Sequence, residues 1–276
     1  MKNVLICTDF SESSLHAAKY GCSLAKQFNS EGVILLHTYQ PLMLPVTMPL
    51  LPPFHDEERY TDALGQLAEL RHEMKYMFDL RMPIEIKTEE HALDEIINRF
   101  CATENADMIV AGAGAATEEE KEYAESDMLD VVQVSRYPVC IVPKLAKIEP
   151  VNSVLFACDL NDISENTPLQ SLEKVLDMFH VPLYVVNVND RKRDLSPAIP
   201  GEIRHLHHTF DKYEAKYAFI DRENSANGIV NFAETYNISM IITITRHYSF
   251  FQRMFNKSTI EKIIQKAEFP ILTIHE

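Results

Sequence analysis

Short apolar runs recur along the chain, and longer segments with apolar positions every three or four residues separate them. In the first half, residues 4–8, 33–37, 84–87, 108–111 and 139–142 read as strands. Residues 13–28, 57–81, 93–103 and 126–135 read as helices, the last with Ser126 as its cap and Asp127 in its first turn. The proline-rich stretch "QPLMLPVTMPLLPPF" cannot hold regular structure and reads as a long loop. In the second half the order repeats, with strands near 154–157, 183–187, 217–220, 240–243 and 271–274. Continuously apolar strands between helices predict a parallel sheet covered on both faces. The expected fold is therefore α/β: two tandem doubly wound five-stranded parallel-sheet domains of Rossmann-like type. In such sheets ligands bind beyond the carboxyl ends of the strands. Asp9, His37, Gly112, Asp159 and Thr245 all fall at those ends.

The two halves also repeat each other in detail. "VLICTDFSESS" and "VLFACDLNDIS" share an apolar run, a cysteine, an aspartate and a polar helix start, and Asp9 and Asp159 stand 150 residues apart. "ADMIVAGAG" with "YPVCIVP" closes the first half, and "ISMIITITR" with "FPILTIHE" closes the second. That spacing suits two similar domains rather than a solenoid. The boundary is expected within "PKLAKIEP", giving domains 1–146 and 147–276.

These residues resemble the universal stress protein family (UspA-like) in its tandem form. The resemblance rests on "ICTDFSES", on the order of elements and on the closing segments that end in a proline and a short strand. It implies an adenine nucleotide alpha hydrolase-like fold, with the two domains packed as a pseudo-twofold pair through their fifth strands and further association into a homodimer. The family's ATP-binding members carry Gly, two residues, Gly, nine residues, Gly and then Ser or Thr after the fourth strand. Glycine is needed because backbone amides must approach the phosphates without a Cβ between them. Anchored on Pro138 and Pro270, the motif positions are Gly112, Ala115, Glu125 and Ser126 in the first half. In the second they are Ile244, His247, Lys257 and Ser258, and no glycine follows Gly228.

Charge points the same way. Glu118, Glu119, Glu120, Glu122, Glu125 and Asp127 crowd the first-half loop. At an effective dielectric near 20, each unpaired like charge about 5 Å from a phosphate costs roughly 3 kcal/mol. A helix N-terminus returns only about 0.3–1 kcal/mol per anion contact. The expectation is a stress-linked regulatory binding protein with degenerate nucleotide sites and no resident cofactor, acting through an unidentified protein partner. The alternative is ATP or AMP binding with magnesium by the first domain alone, through Thr8, Asp9, Gly112 and Ser126, with weak hydrolysis as a further variant. If a nucleotide binds, the candidate contacts are Thr8, Asp9, His37, Gly112, Gly114, Ser126, Asp159 and Ser258. The resemblance places Asp9 near the adenosine end; by itself it also reads as a helix cap. His37 reads either as a satisfied strand-end histidine or as a base.

The formal net charge of −15 argues against nucleic acid or an anionic membrane as the main partner. No apolar stretch approaches the roughly 20 residues of a membrane span, and the start does not read as a signal peptide. The five cysteines lack CxxC pairing and read as buried reduced thiols, as expected of a cytoplasmic protein. There is no GxSxG elbow, GxxxxGK[ST] loop or HExxH helix, so no enzyme activity is expected. Glu202, His205 and His208 have a helical spacing that can bind zinc or nickel, although such pairs are common by chance. The basic and aromatic loop "TRHYSFFQRMFNKS" reads as either core packing or a docking patch.

Overall fold

The computed structural model describes residues 1–40, 57–113, 130–158, 169–189, 199–221, 225–245 and 268–275. The first half contains β1 (Asn3–Cys7), α1 (Glu12–Gln27), β2 (Gly32–Thr38), α2 (Glu57–Phe78), β3 (Ile84–Glu89), α3 (Leu93–Glu104), β4 (Ala106–Ala113) and β5 (Val139–Pro143). The second contains β6 (Val154–Cys158), α4 (Leu169–Phe179), β7 (Leu183–Asn189), α5 (Ile199–Phe210), β8 (Lys216–Asp221), α6 (Ser225–Thr235), β9 (Met240–Thr245) and β10 (Ile271–His275). A helical segment over 130–134 precedes β5. The start of that helix, including Ser126, lies outside the described residues, as does the proline-rich stretch over 41–56.

All ten strands form one sheet in the order β3-β2-β1-β4-β5-β10-β9-β6-β7-β8. Each half has its own first strand at the centre, with the fourth strand on the opposite side from the second. The chain therefore reverses its direction of winding between β1 and β4, and again between β6 and β9. Pairing is parallel except where the halves meet: β5 and β10 run antiparallel, with Cys140 opposite Leu272. Thr273 Oγ1 reinforces that seam by donating to the Val139 carbonyl at 3.1 Å. The connecting segment is fastened to α1. His16 Nε2 lies 2.7 Å from the Ala146 carbonyl. Gln27 accepts from Val151 N–H at 2.8 Å and donates to Val151 O at 2.9 Å.

Both faces of the sheet are apolar because both are covered. Val4, Ile6, Val110, Phe156, Ile242 and Ile244 point to one buried layer, which includes α1, α2, α4 and α5. Leu5, Ile109, Leu155 and Ile241 point to the other, against α3 and α6. Helix α1 sits close on the sheet at Gly21, where a Cβ would meet Ile6 Cδ1 at 2.7 Å. The five cysteines are free and buried. Burial pushes the thiols of Cys22 and Cys101 up to about 12, and raises those of Cys7 and Cys140 as well. They are poor nucleophiles at neutral pH. No helix among the described residues is long and apolar enough to cross a membrane.

Thr243, Thr273 and Asn187 are buried polar residues on strands, and Asn187 departs furthest from the apolar rule. Asn187, opposite Cys158 in the register of β6 and β7, is 4% exposed, and neither amide atom has a hydrogen-bond partner. Burying an unpaired polar group costs about 1–3 kcal/mol. Asn187→Leu, of similar volume, is therefore expected to raise stability by about 1–2 kcal/mol in a urea titration. An unchanged or lower midpoint would show that the amide is satisfied in solution.

Candidate functional site

The reversal between β1 and β4 opens a cavity of about 540 Å³ at the carboxyl ends of the strands. It is built from the turn after β1, from the α1 N-terminus, and from residues that β2, β3 and β4 deliver to the same end. Ser11 caps α1: its Oγ accepts from Ser14 N–H at 3.3 Å. Asp9 does not cap the helix directly. Its Oδ1 accepts from Ser11 N–H at 3.0 Å and from Ser11 Oγ at 2.6 Å, so it holds the cap in place. Partial burial pushes the Asp9 carboxyl up, but hydrogen bonds from Ser11, Ser14 and the backbone outweigh it and hold the pKa below the ordinary value.

A carboxyl group whose folded pKa is depressed stabilises the fold above its unfolded value of about 4, and this is lost as pH falls through the folded value. Asp9→Asn should therefore lower the melting temperature at neutral pH, with the gap to the parent protein narrowing below about pH 4. A gap that stays constant down to about pH 2 would contradict the assignment.

Beneath the turn, Thr8 Oγ1 shares a hydrogen bond with Ser14 Oγ at 3.0 Å and accepts from Phe10 N–H at 3.0 Å. Phe10 has φ 64°, which turns its ring back over His37 at a centroid distance of 4.6 Å. His37 Nδ1 lies 2.8 Å from the Thr8 carbonyl, and its ring stacks on Tyr39 at 6.2 Å. His37 is thus engaged through Nδ1 and through ring contacts with Phe10 and Tyr39.

Gly112 ends the floor of the cavity. A Cβ there would lie 2.5 Å from Ser13 O, 2.6 Å from Ser13 C and 2.8 Å from Ser14 N. These are backbone atoms, so Gly112 is required for the close approach of β4 to the first turn of α1, whatever it does for a ligand. Ile244, at the matching position of β9, is 5% exposed and packs in the core of the second half.

The cavity wall is acidic. Asp9, Asp94, Glu95 and Asp130 line it, together with His91, Tyr39, Thr8 and the serines of α1, and no lysine or arginine does so among the described residues. Asp94 and Glu95 lie in the first turn of α3.

The universal stress protein family profile matches the chain twice, over residues 1–143 and 150–275. The chain belongs to the universal stress protein family. Solved structures agree on the fold. A universal stress protein from Archaeoglobus fulgidus DSM 4304 superposes with a TM-score of 0.69 at 19% identity, covering 99% of this chain and 96% of that one. A putative universal stress protein from Pseudomonas aeruginosa UCBPP-PA14 gives 0.58 at 14% identity, covering 99% and 92%. A functionally unknown protein from Pseudomonas aeruginosa PAO1 gives 0.59 at 13%, with the same coverage. Among curated proteins no match was found.

In this universal stress protein the structure brings together Thr8, Asp9 and Gly112 at the cavity and places His37 behind it. Gly114, Ser126, Asp159 and Ser258 lie outside the described residues, as does the basic and aromatic loop after Thr245. For the histidine cluster, His208 is exposed on α5, while the side chains of Glu202 and His205 are outside the described set. No group of three metal-ligating side chains occurs among the described residues. Sequence reading missed the carboxylates of α3 and Asp130, because nothing in the pattern around them marks that they share a cavity with Asp9. It also passed over Asn187, although a lone amide inside an apolar run was a legible signal.

Proposed function

We propose that this universal stress protein is a stress-linked regulatory binding protein whose nucleotide sites have lost their phosphate chemistry, and that it works through protein contacts rather than turnover. The observation that carries this reading is the acidic wall of the first-half cavity. Asp9, Asp94, Glu95 and Asp130 line the one cavity that also holds Gly112, with no lysine or arginine among its described lining. Like charges oppose an anionic ligand there, and the N-termini of α1 and α3, at about 0.3–1 kcal/mol per anion contact, are too weak a counterweight. The motif positions support the same reading. Gly112 is committed to packing against α1, while Glu125 stands where the family's third glycine is expected. In the second half, Ile244 takes the place of the first glycine.

Native mass spectrometry of the freshly purified chain tests this reading. The expected species is the polypeptide alone, at 31.6 kDa per copy. An adenine nucleotide retained through purification would contradict it.

A further inference from the structure

We infer that α1, together with the segment joining the two halves, is a coupling strap that carries changes at the first-half cavity into the second half. Helix α1 begins at the cavity, in the cap that Asp9 and Ser11 organise, and ends against the second half. There its C-cap, Phe28, packs edge-on to Phe179 at the end of α4, with ring centroids 4.8 Å apart. The joining segment runs along the same helix. Lys144 reaches Glu12 at 2.7 Å, but both side chains are exposed, so this contact holds little. The firmer attachments are His16 to Ala146 and Gln27 to Val151. Positions 16 and 27 are close to three helical turns apart, so both attachments fall on one stripe of α1, separated by about 16 Å.

Val151 has to follow α1. It is 1% exposed, and the single side-chain amide of Gln27 satisfies both its N–H and its C=O. No other hydrogen bond to either group occurs among the described residues. A shift of α1 that left Val151 behind would strand two buried main-chain groups, and such groups are nearly always paired. The next two residues are tied to the base of β9. Asn152 N–H donates to Ser239 Oγ at 3.0 Å, and Ser153 Oγ donates to Asn237 O at 3.1 Å. Ser239 N–H in turn donates to Ser153 O at 3.1 Å. Strand β9 then runs on to Ile244, the position that matches Gly112. The path from the α1 cap to β9 is thus one stiff helix and a short run of hydrogen bonds. Coupling through it acts in both directions. It holds for any change at the cap, whatever the cavity binds.

Hydrogen–deuterium exchange of the full chain, resolved amide by amide, tests the strap. Gln27→Ala should speed exchange at Val151 and Ser239 about tenfold, the effect of losing one buried hydrogen bond, and leave β7 and β8 unchanged. Ser11→Ala, which loosens the α1 cap, should speed exchange at the same two amides about fivefold. Combined with Gln27→Ala it should add nothing further there, because the link is already cut. Gln27→Glu, which keeps an acceptor for Val151 N–H and loses the donor to its carbonyl, serves the same cycle with a smaller effect if the alanine variant does not fold. A Ser11→Ala effect confined to the first half, or one that persists in full without Gln27, would overturn the inference. So would acceleration spread evenly through β7 and β8, which would report global unfolding instead of a strap.

Discussion

Gly112→Val is expected to destabilise the first half by about 3 kcal/mol, the upper end of what overpacking costs. The new side chain would have to displace Ser13 and Ser14 backbone atoms that lie 2.5–2.8 Å from its Cβ, and main chain yields less readily than the end of a flexible side chain. The first turn of α1 would move, and with it the network of Ser11, Asp9, Thr8 and Ser14 that the cap organises. Urea unfolding followed by circular dichroism measures the effect. If Gly112 served only to admit a phosphate, valine would leave the midpoint unchanged.

The converse substitution, Ile244→Gly, is expected to cost about 4 kcal/mol. Ile244 is buried in the same layer as Ile242, Phe156 and Leu272 and stands opposite Ile274 in the register of β9 and β10, so removing it leaves a cavity among strand residues with little freedom to collapse. Glycine adds backbone entropy to the loss. No nucleotide affinity should appear in exchange, because the remaining motif positions of the second half carry no glycine. A variant that unfolds at the parent midpoint would mean that the second half still keeps space at this position.

The sequence made the sheet legible because each strand is a continuous apolar run. Such runs arise when a strand is covered on both sides, as Leu5 and Ile6 are by the two layers. The strand order within each half followed from the repeated pattern only as a fold class. That the halves meet through their fifth strands was expected from the family resemblance alone, since nothing in "VCIVP" or "ILTIH" specifies a partner, and the antiparallel pairing of β5 and β10 is seen only in the structure.

At the site, local chemistry was legible and long-range convergence was not. Asp9 was visible as a residue at the end of a strand, but the helix cap belongs to Ser11, a distinction set by two hydrogen bonds that sequence spacing does not decide. Gly112 was visible as a motif glycine, while its steric contact with the main chain of α1 depends on the distance between two elements far apart in sequence. The acidic wall gathers residues from the β1 turn, α3 and the segment before β5, so only the folded sheet shows that Asp94 and Asp130 line the same cavity as Asp9.

The proposed loss of phosphate recognition, with the fold kept, is open to a direct measurement. Calorimetric titration of the full chain with ATP and magnesium tests it most directly. Heats no larger than those of dilution are expected up to millimolar nucleotide; a saturable isotherm with a micromolar dissociation constant would contradict the proposed loss.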